Sequence, residues 1–203
     1  MFKNLIVLFF ILTHGLLQGQ NWNQIGNDIN GKNTVDYSGR SIAFSDNGNI
    51  VAIGAHANDG NGNNSGHVRV YQISNNNWVQ LGQEIFGESA NDEFGRYVSL
   101  SNNGSILAVG APFSENTNYP NTVDWGKVKV FQYSSGSWNQ IGQTIVGAQY
   151  GAQSGRVSLS SDGTVLAIGE IGVHPSNWLS SGAGGARVFK FDGSNWNQRG
   201  SII

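Results

Sequence analysis

Cysteine is absent from the 203 residues, so neither a disulfide framework nor a thiolate metal site can hold this chain together. Charged residues make up only 12% and the net charge is −2. So sparse a set excludes the clustered basic face of a nucleic-acid binder and a polybasic membrane patch. Long apolar runs are also missing. The longest, residues 5–12, is followed by His14, Gly15 and Gln18, well short of the ~20 apolar residues that a spanning helix needs. No cysteine follows that run, which argues against a lipid-anchored precursor. A sustained 3.6-residue apolar period is absent from residues 21–203, and no helix is expected there. Proline is rare, at 3 residues.

What the chain has instead is glycine, 29 residues of it, with Asn and Ser between short apolar runs. This is the composition of many short strands joined by turns. Residues 1–20 carry one cation, Lys3, then the short apolar core, then Gly19-Gln20. That layout predicts a signal peptide, hence a secreted or cell-surface protein whose mature part is residues 21–203.

The mature part repeats itself. Trp22, Trp78, Trp138 and Trp196 stand 56, 60 and 58 residues apart, each opening a similar phrase (WNQIGNDI, WVQLGQEI, WNQIGQTI, WNQRGSII). A Gly-Arg pair follows 17 residues after each of the first three: Gly39-Arg40, Gly95-Arg96 and Gly155-Arg156. Gly48, Gly104 and Gly163 each precede Gly54, Gly110 and Gly169 by six. Each unit then holds about four strands, with the Asn-Gly and Asp-Gly pairs read as tight two-residue hairpins. Repetition of this kind decides the architecture before any single residue does. The expectation is an all-β chain: a β-propeller of four-stranded antiparallel blades, with three blades encoded, at about 39–85, 95–145 and 155–203. Residues 22–29 are left as an extra outer strand. Closed propellers have four to eight blades, so either further blades belong to a longer chain or this piece covers its sheet edges by self-association.

Phe94-Gly95 and Gly110-Ala111-Pro112 resemble the FG-GAP repeat of integrin-α-type propellers, and all three units look like that family. Only the middle unit has both signature ends; Gly39 and Gly155 lack the phenylalanine, and Ala55-His56 and Glu170-Ile171 replace Ala-Pro. The resemblance implies a non-catalytic extracellular adhesion or binding module whose ligand surface is the variable-loop face. Many such repeats carry a calcium loop between their first two strands. Here that place has one Asp or none (Asp46, Asp162), against the 6–8 oxygen ligands that calcium takes. No cofactor, calcium included, is expected.

Residues that recur in every unit read as structural: Arg40, Arg96 and Arg156 as packing or inter-blade hydrogen bonders, the four repeating tryptophans as buried blade packing. Residues that break the repeat, in loops of unequal length, are candidates for binding. These are Trp125 and Trp178, with Tyr119 and His174 near them, and the acidic residues Asp36, Asp92 and Glu93. His56 and His174 lie in corresponding loops, but two histidines without placed carboxylates make no metal site. The expected partner is an extracellular protein or carbohydrate. Two other readings stand beside it: a polysaccharide hydrolase or lyase, if Asp36, Asp92 and Glu93 converge at the channel mouth, and a purely structural spacer. No nucleophile–base motif marks an enzyme, and none is expected.

Overall fold

The computed structural model of the chain describes residues 22–116, 124–172 and 183–203. The expected signal peptide, Tyr119, His174 and Trp178 lie outside the described residues.

Three antiparallel sheets follow one another. The first contains β1 (Ser41–Phe44), β2 (Ile50–Ala55), β3 (His67–Ser74), β4 (Asn77–Gln80) and β5 (Ile85–Phe86). The second contains β6 (Tyr97–Leu100), β7 (Ile106–Ala111), β8 (Lys127–Ser134), β9 (Ser137–Gln140) and β10 (Ile145–Val146). The third contains β11 (Arg156–Leu159), β12 (Val165–Glu170), β13 (Gly185–Phe191) and β14 (Trp196–Arg199). Strands pair in sequence order, so each sheet is a blade of a β-propeller, and among the described residues there is no helix. The outer edge is one bent line: β4 and β5 both pair with β3, on either side of the turn at Gly82 (φ +75°). The third blade ends alike, Ala186 and Ile203 exchanging both backbone hydrogen bonds.

The core lies between blades rather than within them. In β7, Leu107 and Val109 pack with Val68 and Val70 of the first blade. Ile106 and Ala108 pack with Leu166 and Ile168 of the third. This two-sided burial explains why the strand is apolar throughout. Leu107 is fully buried, worth about 1.5–3 kcal/mol relative to leaving it exposed. The inner strands approach so closely that side chains are excluded. A Cβ on Gly54 would stand 1.9 Å from the Gly95 carbonyl oxygen, and one on Gly110 1.9 Å from that of Gly155.

The tryptophans stitch the blades together. The indole N–H donates to the carbonyl three residues past the preceding tryptophan: Trp78 to Ile25 (3.0 Å), Trp138 to Leu81 (2.8 Å) and Trp196 to Ile141 (3.2 Å). Trp138 and Trp196 are buried as expected, but Trp22 is 93% exposed. Residues 22–29 form no strand either. No described strand pairs with them; β4 lies alongside, but its link to the segment is the Trp78 indole N–H donating to the Ile25 carbonyl.

The turns differ in one respect from expectation. The Asn-Gly hairpins are not two-residue loops: Ser45, Ser101 and Ser160 close four-residue turns by bonding to Ile50, Ile106 and Val165. The Asx side chains at 47, 103 and 162 accept from those serine hydroxyls and from the backbone N–H two residues on. The tight two-residue hairpins come before the tryptophans, where Asn75 and Asn76 (φ +49° and +61°) and Ser135 and Gly136 (φ +52° and +84°) take the left-handed conformations such turns require. The four-residue turns also bond one to the next, Asp46 N–H to Asn102 and Asn102 N–H to Ser161. These turns thus form one backbone-bonded row on one face of the propeller, and the loops that lead into the inner strands lie on the other.

Candidate active site

On that other face the chain enters each inner strand through a loop of fixed shape. Val35, Asn91 and Gly151 are left-handed, and so are Tyr37, Glu93 and Gln153 two residues later. Non-glycine residues adopt this conformation at a cost, so three copies in register mark a constrained loop. It projects the side chain at 37, 93 or 153 beside the start of an inner strand.

In the second blade that side chain is Glu93. Its carboxylate accepts a charge-assisted hydrogen bond from Arg96, whose guanidinium lies 5.1 Å over the Phe113 ring. Glu93 Oε2 is also 4.0 Å from His56 Nε2, too long for a direct hydrogen bond but a span that one water can bridge. His56 follows the end of β2 in the first blade and stacks on Tyr37, with ring centroids 5.6 Å apart. Burial pushes its pKa below the ordinary 6.5; Glu93 opposes the shift, while Arg96 and Arg40 reinforce it. His56 is therefore neutral at pH 7, with Nε2 facing a carboxylate across the blade boundary.

Glu93 also lines an open cavity of about 840 Å³ whose wall includes Asp92, Phe113, Glu115, Asp124 and Lys127, within the size range of small-molecule sites. Asp92 is buried, accepts from the Ser89 N–H (3.2 Å), and has its pKa raised by desolvation, with Ser114 and Lys127 pulling the other way. The lining thus carries four carboxyl groups and one ammonium.

The structure sorts the sequence candidates accordingly. Asp92 and Glu93 meet at this cavity, and Trp125, half-buried, follows its lining residue Asp124. Asp36 does not join them. It is buried in the register position of Asp92, where it accepts from the Asn33 N–H and from Asn58 Nδ2 (2.9 Å) and organises its own loop. From sequence, Glu115 counts among the variable-face acids, His56 and Arg96 are set aside as no metal ligand and as scaffold, and Phe113 and Lys127 are not reached. Arg156, by contrast, keeps the packing role expected of it, 4.9 Å over the Tyr97 ring of the preceding blade. No group of three His, Asp or Glu side chains spaced to hold a metal ion occurs among the described residues.

No protein-family model matches the chain, and no curated protein does. Solved structures do match. A candidate 6-phosphogluconolactonase from Bacteroides uniformis is 20% identical (TM-score 0.50), with 78% of this chain and 38% of that one covered. One from Bacteroides fragilis is 12% identical (TM-score 0.50), covering 80% and 38%. The periplasmic gluconolactonase PpgL of Pseudomonas aeruginosa is 15% identical (TM-score 0.47), covering 80% and 56%. At these identities the likeness is one of fold. The chain spans 38% of the length of the first two.

Three expectations are corrected by these matches. The FG-GAP resemblance does not hold: no family model supports it, and the two Bacteroides propellers that superpose are named as 6-phosphogluconolactonases, not as integrin-type repeats. Its signature glycines have a geometric cause in this chain, since Gly54 and Gly110 stand where any Cβ would strike the neighbouring blade. The reading as a non-catalytic adhesion or binding module, and the reading as no enzyme, fall with it.

Proposed function

We propose that the chain is part of a propeller hydrolase that opens a small lactone, a cyclic ester of a sugar acid, at the His56–Glu93–Arg96 cluster. The observation that carries this is the 4.0 Å His56–Glu93 span at the edge of the 840 Å³ cavity. The names of the structural neighbours agree with it. A water between the two groups donates to Glu93 and to neutral His56. One of them takes its proton as the oxygen attacks the lactone carbonyl carbon. Arg96 and Arg40 supply positive potential for the oxyanion that develops. The ring C–O bond then breaks, the protonated base returns its proton to the leaving alkoxide, and the product is a hydroxy acid.

The lining restricts the substrate further. Four carboxyl groups accept hydrogen bonds from ring hydroxyls and repel a phosphate ester, so a neutral polyhydroxy lactone fits better than a phosphorylated one. This keeps the hydrolytic class of the polysaccharide reading and replaces its substrate with a small ring. The signal-peptide layout of residues 1–20 adds the proposal that the reaction takes place outside the cytoplasm. The test is pH-stat hydrolysis of glucono-δ-lactone and of its 6-phosphate, corrected for spontaneous opening. Faster turnover of the neutral lactone is expected; no rate above background with either refutes the proposal.

A further inference from the structure

The stitches between blades include a second element that one blade lacks. Gln83 Nε2 donates to the Trp138 carbonyl (2.7 Å) while Gln83 Oε1 accepts from the Trp138 N–H (2.9 Å). Gln143 grips Trp196 in the same way, at 2.7 and 2.9 Å. In each case a primary carboxamide occupies the outward N–H and C=O of an edge-strand residue, as a neighbouring strand would. These groups point outward because antiparallel pairs bond alternately. Ile141 N–H donates to Val130, which leaves Trp138 in a non-bonded pair with Tyr133.

The first blade has the same geometry: Leu81 N–H donates to Val70, and Trp78 pairs with Ile73. The residue in register with Gln83 and Gln143 is Asn27, one methylene shorter, and it makes no such clamp. Its segment is not displaced. Trp78 Nε1 still reaches the Ile25 carbonyl, and Gln24 still bonds the Gly26 carbonyl (3.1 Å) as Gln80 bonds that of Gly82. An open cleft of about 260 Å³ results, lined by Asn27, Asp28, Ile29, Tyr71, Asn77 and Trp78. Tyr71 stands where the other blades have Phe131 and Phe189, and Trp78 is half-buried where Trp138 is 3% and Trp196 2% exposed.

We infer that this cleft is a binding site for a primary carboxamide, namely a glutamine side chain presented by a partner polypeptide. The other two blades show the occupant and its geometry. The amide inserts over Trp78, accepts from its N–H and donates to its C=O, while the Trp78 and Tyr71 rings contact the methylenes. A carboxylate of equal size can accept but cannot donate, and it faces the Trp78 carbonyl and Asp28.

The probe is N-acetyl-glutamine methylamide titrated into ¹⁵N-labelled chain, with N-acetyl-glutamate methylamide as its isostere. The Trp78 backbone amide resonance is expected to shift saturably with the first and about tenfold more weakly with the second, for the hydrogen bond lost. Asn27→Gln is expected to fill the cleft from within and abolish the shift, while Asn27→Ser leaves the cleft open and retains it. Equal responses to the two probes, no response of Trp78, or an undiminished titration in Asn27→Gln overturns the inference. So does a response of Trp78 to glucose alone.

Discussion

Replacing Gln143 with alanine isolates the device that joins the second and third blades. The side chain makes two hydrogen bonds, of 2.7 and 2.9 Å, to the backbone of Trp196, a residue only 2% exposed. Each bond contributes about 1 kcal/mol net, and a buried group left without a partner costs about 1–3 kcal/mol. Water enters beside the truncated side chain and recovers part of this, so the expected loss is about 2–4 kcal/mol. For a domain of this size that lowers the melting temperature by roughly 5–15 °C. Gln140→Ala is the matched control, because Gln140 is exposed and bonds only within its own turn. Thermal unfolding followed by near-ultraviolet circular dichroism reads both variants and reports on Trp196 itself. If Gln143→Ala melts with the parent, or no lower than Gln140→Ala, the clamp does not hold the blades and the reasoning fails.

Gly110→Ala places a methyl 1.9 Å from the Gly155 carbonyl oxygen, and blade separation is expected to cost at least the ~1–3 kcal/mol of an overpacked core; urea denaturation measures it, with Gly136→Ala, which meets no atom within 4 Å but has φ +84°, as the milder comparison. His67 is fully buried with neither ring nitrogen bonded, and burial lowers its pKa from 6.5. Its neutral form is the one the fold accepts, so stability is full above pH 6.5 and falls as the pH drops below that value toward the folded pKa. His67→Leu should flatten that slope in pH-dependent denaturation. Asp162, held by Ser160 and by the Thr164 N–H and hydroxyl, should titrate at about 2 by carbon NMR, and Thr164→Val should raise it. His56 should titrate below 6.5, and lower still in Glu93→Gln, because Glu93 is the neighbour that opposes the shift.

The propeller was legible because its signals are local and threefold: turn glycines at fixed offsets, apolar strands and a pacing tryptophan. The outer segment at 22–29 was misread because strand formation there depends on a pairing strand that the described residues do not supply, although the phrase WNQIGNDI is nearly that of WNQIGQTI. Of the site, Asp92 and Glu93 were found through the loop that carries them. His56 and Arg96 were passed over for different physical reasons. Arg96 recurs in every unit and reads as scaffold, yet only its copy finds a carboxylate three residues earlier. His56 stands in register with Pro112 and Ile171, so it breaks the repeat. Its partner, however, lies in the next blade, and a contact across a blade boundary leaves no mark in sequence spacing. Asp36 shows the converse. It shares its register with Asp92 and was grouped with it, but Asn58 claims its carboxylate.

The hydrolytic reading rests on Glu93 and His56 acting together on one water. The most direct measurement is the rate of glucono-δ-lactone opening by the parent chain and by Glu93→Gln, a change that keeps shape and removes the charge. The account predicts a parent rate above spontaneous hydrolysis and a drop of about 10²-fold or more in the variant, with folding unaltered. Equal rates in the two proteins, or a parent indistinguishable from buffer, would contradict it.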